Sequence, residues 1–218
     1  MYEVTRLIHL REPDDALTTE MIIKRIVAAA DSPRVYRCLV APTLAGVRNG
    51  GDVLVHLQFS EAADWCAVRP AVDEAITDDA VRSVDAVEYE GSAGHRRGRR
   101  GDAAHPTVYR TLLLRIDPDA APAQIRRFEN ATLAMPQHIG AIGAWQLSPV
   151  LKCDSATGYT HVWEQEFADL DGLLVDYMMH PIHWGLVDRW FDPECPDQII
   201  TARVCHSFCS IEEPVINI

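Results

Sequence analysis

Between Tyr159 and Gly185 the sequence concentrates the side chains best suited to moving protons. The run Tyr159-Thr-His161-Val-Trp163-Glu-Gln165-Glu-Phe167 reads as a strand, and Asp176-Tyr177-Met-Met-His180-Pro181-Ile-His183-Trp184-Gly185 follows it closely. Strand alternation sends Tyr159, His161, Trp163, Gln165 and Phe167 to one face, an aromatic wall holding one titratable group. A histidine changes charge near neutrality, which suits His183 to general base or acid work, a contribution of typically about 10²–10⁴-fold in rate. The Tyr177 hydroxyl can hold a substrate oxygen or an enolate as charge develops on it. Pro181 disfavours helical geometry at His180 and can start a new helix, so His183 is expected in the first turn of a helix running to about Trp190. His180 either orients Tyr177 or a substrate, or makes a structural bond at the helix break.

Other chemistries find less support. His161, His180 and His183 could in principle form a three-histidine metal site, but the proline removes the fixed one-face geometry that helical histidine motifs rely on, and no metal is expected. No G-x-S-x-G occurs and no cysteine sits in a recognisably activating setting. Gly140-Ala-Ile-Gly143 is too short for a phosphate cradle and follows a strand entry, so no nucleotide and no other cofactor is expected.

The elements that must carry these residues come in two similar sets. Val4–Arg11 and Val108–Arg115 begin the halves as extended runs, with Arg6 and Arg11 opposite Arg110 and Arg115. Helices follow at Thr18–Ala30, with Thr19 able to cap, and at Pro122–Ala134. Next come strands around Arg34–Leu44 and Ile139–Val150, then strands Asp52–Phe59 and Tyr159–Phe167, each ending in Phe. Acidic-start helices are expected at Ser60–Arg69 and Ala168–His180, and closing strands at Ala80–Glu90 and Gln198–Ser210. Each half thus reads β-α-β-β-α-β, the ferredoxin-like order, whose sheet has helices on one face only. Two such sheets in one chain can cover each other. The expected fold is α+β: a ferredoxin-like repeat at residues 1–91, mainly scaffold, a linker at 92–106, and a second repeat at 107–218 carrying the site. The linker's glycine-punctuated basic cluster, His95, Arg96, Arg97, Arg99 and Arg100, reads as solvated.

Length and composition agree with this. A chain of 218 residues, 48% apolar, can bury a sizeable core. Its net charge of −12 repels nucleic acid and anionic lipid, no apolar run approaches a membrane span, and the amino terminus lacks signal-peptide character. No nucleic-acid partner, no membrane association and a cytoplasmic location are expected. The six cysteines form no C-x-x-C pair and read as reduced thiols.

The second half resembles the stress-responsive dimeric α/β-barrel family. The resemblance rests on Gly158-Tyr-Thr-His161, on the strand-to-helix transition at Phe167, and on D-Y-x-x-H-P-x-H-x-G from Asp176 to Gly185. It implies two ferredoxin-like units packed sheet to sheet, here within one chain as an intramolecular barrel, so that a monomer or a homodimer using other surfaces is expected. Likeness to a polyketide cyclase of that family implies catalytic roles for Tyr177 and His183 and a pocket role for His161. Arg110 stands where that enzyme has a histidine, Trp163 replaces a small apolar residue, and Glu129 lies near another pocket-lining position. Arg110 has two readings, an ion pair with Glu129 or a seat for a substrate carboxylate.

These residues point to a cofactor-independent lyase, cyclase or isomerase acting on a small, mostly apolar oxygenated molecule by polyketide cyclisation, enol–keto isomerisation or epoxide opening. His183 moves a proton, Tyr177 polarises an oxygen, and Trp163, Phe167, Phe128 and Trp184 exclude water, with His161, His180, Arg110 and Glu129 completing the binding site. A noncatalytic small-molecule-binding stress-response module and a monooxygenase-like barrel enzyme are the alternatives.

Overall fold

The computed structural model describes residues 1–13 and 15–217. In the first half, β1 (Tyr2–Leu10), β2 (Val35–Pro42), β3 (Val53–Phe59) and β4 (Val81–Glu90) form an antiparallel sheet in the order β2-β3-β1-β4, covered by α1 (Ala16–Ala29) and α2 (Ala62–Ile76). Alternation along β1 and β3 divides their side chains between two faces. Val4, Ile8, Val55, Leu57 and Phe59 pack with Ile22, Ile26, Trp65 and Val72 of the helices, while Leu7 and Leu54 turn the other way. Helix α1 starts two residues earlier than its periodicity indicates because Asp15, rather than Thr19, caps it, accepting from the backbone N–H of Leu17 and Thr18. Helix α2 runs on past Arg69 to Ile76, with Pro70 inside it.

The second half repeats the order. β6 (Val108–Leu114), β7 (Ile142–Asp154), β8 (His161–Phe167) and β9 (Cys205–Ser210) lie as β7-β8-β6-β9, with α3 (Pro122–His138) against one face. Pairing shifts the correspondence between the halves. Tyr2 and Val108 each face the Phe that ends the neighbouring strand, which makes Leu112 the counterpart of Arg6 and Val4 that of Arg110. The arginine alignment is therefore one side-chain pair out of register, a displacement that keeps both arginines on the helix-facing side. Two further expectations are corrected. The second helix is replaced by π-helical turns at Gly172–Tyr177 and His183–Val187 and a 3-10 turn at Asp188–Trp190, with Pro181 between them. The last strand begins only at Cys205, because Gln198, Ile199 and Ile200 bond back to the end of this helical segment and Ile200 meets the sheet through no more than an isolated bridge with Ile116.

The two sheets join where β4 pairs with β7, and the combined sheet folds so that its remaining faces meet. Leu7, Leu54, Val87 and Tyr89 pack there with Tyr109, Leu113, Val162 and Cys209. Each buried aliphatic side chain contributes about 1.5–3 kcal/mol. On the opposite side the β2–β3 loop meets β9: Leu44 N–H donates to the Phe208 carbonyl at 3.1 Å, and Arg48 and His206 exchange backbone hydrogen bonds. The segment expected as a solvated linker is instead tied down. Arg97–Arg99 forms a short strand, β5, on β7; Arg96 donates to Glu129, Arg99 pairs with Glu166, and Arg100 reaches the Pro136 carbonyl. No described helix is long and apolar enough to cross a membrane.

Candidate functional site

Between α3, the helical face of the second sheet and the π-helical segment lies a cavity of about 580 Å³. Leu112, Leu114, Phe128, Met135 and Trp163 form much of its apolar wall, and Tyr177, His183, Arg110, His206 and Thr132 bring polar groups to it. β6 supplies Arg110, Leu112 and Leu114 by alternation, β8 supplies Trp163, and β9 supplies His206. The π-helical turns supply the pair at the centre: the Tyr177 and His183 rings meet edge to face with centroids 4.9 Å apart. A π turn widens the backbone and changes the direction of the side chains that follow, an arrangement frequent at functional sites.

Arg110 organises the pair. Its guanidinium lies 5.0 Å over the Tyr177 ring, donates to the Tyr177 hydroxyl at 3.5 Å and bonds the Gln165 side-chain oxygen. Burial lowers its affinity for the proton, opposed by Tyr177. Burial, helped by the Arg110 charge, holds the His183 imidazole down to about 4, and burial together with Arg110, His183 and Arg48 brings His206 to about 2. Both rings are therefore neutral at pH 7. Asp188 lies 3.4 Å from His183 Nδ1, within ion-pair range but without hydrogen-bond alignment, so that nitrogen keeps no partner. Arg110 Nε, Thr132 Oγ1, Trp163 Nε1 and His206 Nε2 are likewise buried without a partner, on residues that line this cavity.

Of the residues selected from sequence, His183, Tyr177, Arg110, Trp163 and Phe128 come together on the cavity. Phe167 lies behind Tyr177, its ring centroid 5.6 Å away. His161 bonds Glu129 at 3.2 Å and Thr160 at 2.9 Å, and Glu129 also accepts from Arg96, outside the cavity lining. Those contacts hold the Glu129 carboxyl at about 2 and leave no ion pair between it and Arg110. His180 accepts the Ile182 N–H through Nδ1 at the helix break. Trp184 is 57% exposed and excludes no water from the cavity. Tyr159 precedes β8 and packs in the inter-sheet core, so it is not on the face of His161 and Trp163.

Sequence reasoning missed His206, Thr132, Asp188 and the lining pair Arg48 and Asn49. Alternation along β9 was a usable signal for His206, two positions from Phe208 on the same side. Arg48 and Asn49 belong to the first half, and no local pattern could connect them to this cavity.

A second polar cluster lies between the sheets. Glu3, His56 and Glu164 are buried with donor atoms within 4.8 Å of one another, a spacing that could hold a metal ion. Tyr109 donates to Glu164 at 2.5 Å, and Gln146 donates to both Glu164 and Glu3. Burial raises both carboxyls, Glu164 to about 7, and lowers His56 to about 3. Internal hydrogen bonds engage all three side chains.

Fold and site together define an α+β chain of two ferredoxin-like sheets with a cavity under the helical layer of the second. Residues 108–205 match the family described as Stress responsive A/B Barrel Domain (Dabb), which bears out the resemblance seen in Gly158–His161 and Asp176–Gly185. An anthrone oxidase-like protein is similar over 97% of this chain and 94% of its own, at 11% identity and a TM-score of 0.61. A putative monooxygenase from Fusobacterium nucleatum subsp. nucleatum covers 94% and 90% at 8% identity and 0.59. One from Lactobacillus acidophilus covers 94% and 91% at 8% identity and 0.52. At such identities these likenesses show the fold. No curated protein matches the sequence.

Proposed function

We propose that the chain is a cofactor-independent lyase, cyclase or isomerase that transfers protons on a small, mostly apolar oxygenated molecule held in this cavity. The observation that carries the reading is the contact between Tyr177 and His183, 4.9 Å apart on the wall of a largely apolar space of about 580 Å³. A neutral His183 accepts a proton from a carbon beside a carbonyl, and the C–H electron pair moves into the enolate. The Tyr177 hydroxyl, which accepts from Arg110, donates its own hydrogen to the enolate oxygen. The enolate then attacks a second carbonyl to close a ring, the carbonyl π pair passing to its oxygen, which takes the proton back from His183; in isomerisation the enolate takes that proton back at another carbon. As negative charge forms beside Arg110, the imidazolium that results is stabilised in turn.

This base chemistry favours cyclisation and isomerisation. Epoxide opening needs an acid, and His183 at neutral pH is the neutral imidazole, without the imidazolium proton such a step would use. The test is solvent deuterium exchange into β-polyketide analogues and cyclic enones, followed by NMR, with the wild type, His183→Gln and Tyr177→Phe. Exchange by the wild type that falls by about 10²–10⁴-fold in His183→Gln supports the reading. A folded wild type that binds these molecules without exchange or turnover is a noncatalytic binding module. Oxygen consumption during turnover moves the assignment to the monooxygenase-like alternative.

A further inference from the structure

We infer that the molecule bound in this cavity is an organic anion whose carboxylate sits on Arg110, an inference that rests on the cavity being the substrate site. Arg110 is 3% exposed, yet its polar neighbours are neutral: Gln165 and Tyr177. A buried cation without a counter-charge is costly, because burial withdraws its hydration and nothing opposite in sign replaces it.

The other buried arginine among the described residues is treated differently. Arg6, on the helix-facing side of β1, also lies 5.0 Å over an aromatic ring, that of Trp65, and it is neutralised by Asp73. Arg96 has Glu129 and Arg99 has Glu166. Glu129, the candidate counter-ion on α3, is already held by Arg96 and His161. Among the described residues Arg110 makes no ion pair.

The surroundings suit an anion. Arg110 Nε and Trp163 Nε1 are buried donors without acceptors, Thr132 Oγ1 is a third polar atom without a partner, and all three residues line the cavity. The charged lining residues are Arg110, Arg48 and Asp188, two cations to one anion. His183 and His206 add no charge at pH 7. The cavity is thus electropositive within a chain of net charge −12. The apolar wall of Leu112, Leu114, Phe128, Met135 and Trp163 takes the remainder of the molecule. A carboxylate next to an enolisable or aromatic skeleton fits both parts.

The probes are 2-naphthoate and its neutral isostere 2-naphthamide, titrated calorimetrically into wild type, Arg110→Gln and Arg110→Lys. The wild type is expected to bind the acid at least 10-fold more tightly than the amide, Arg110→Gln to lose that preference, and Arg110→Lys to keep part of it. Equal affinities in the wild type, or a preference that survives Arg110→Gln, overturns the inference. Should Arg110→Gln fail to fold, NMR of the wild type decides: naphthoate should move the His183 titration midpoint up by a unit or more and naphthamide should not. An unmoved midpoint in the naphthoate complex overturns it. Failure of the proton-transfer reading gives a different pattern, an Arg110-dependent preference for naphthoate in a protein that exchanges no deuterium.

Discussion

At the level of single residues, two buried groups set opposite responses to pH. His183 is neutral above about pH 4 because burial and Arg110 both disfavour its charged form. In the free protein the kcat/KM of a His183-based reaction should be flat from about pH 5 to pH 8 and fall only as pH approaches 4. A limb near the ordinary histidine value of about 6.5 would contradict the environment seen here. Glu164 behaves in the reverse sense. Its carboxyl keeps its proton to about pH 7 in the folded chain and releases it near the ordinary 4.5 when unfolded. The native state therefore binds more protons across that window, and stability is lost as pH rises from about 4.5 through 7. Glu164→Gln removes this term. Thermal midpoints of the variant relative to wild type should rise by a few °C between pH 5 and pH 8, and a pH-independent difference would count against the assignment.

Among the elements, the termini and turns carry the information that periodicity lacks. Asp15 satisfies two amide donors at the start of α1, and Asp15→Ala should lower the melting point by about 2–4 °C. An unchanged midpoint would mean that solvent replaces the cap. The strands were readable because alternating apolar residues are needed wherever a sheet has one face against helices and one against another sheet. The second helix of the site-bearing half was not. Pro181 marked the interruption at the right place, but whether the backbone closes i→i−4 or i→i−5 hydrogen bonds depends on what the turn packs against. Here the Tyr177 ring is held between Arg110 and Phe167. The basic segment was misread for a related reason: its arginines look solvated until the carboxylates and carbonyls of distant strands come within reach.

For the whole molecule, the decisive contact is the seam between the β2–β3 loop and β9. A Cβ on Gly50 would lie 2.6 Å from the His206 carbonyl oxygen and 2.7 Å from the Ser207 Cα, both backbone atoms that cannot rotate away. Gly50→Ala should therefore part the seam, lower the melting point by several °C and weaken naphthoate binding at least 10-fold, although residue 50 is not in the cavity wall. Its neighbours Arg48 and Asn49 are, opposite His206. Calorimetry and a thermal melt showing neither effect would mean that the two halves do not cooperate in forming the cavity.

The sequence by itself determined the α+β class and the repeated order of elements, because hydrophobic alternation and turn residues are local properties written along the chain, and its resemblance to a known family singled out Tyr177 and His183 as candidates. Tertiary structure decided what those residues can do. It assigned Glu129 to Arg96 and His161 rather than to Arg110, brought His206 and the loop of Arg48 and Asn49 to the same cavity, and turned Trp184 outward. Charge balance and solvent exclusion are sums over neighbours as distant in the chain as Arg48 and His206, so they come into being only when the two sheets close on each other.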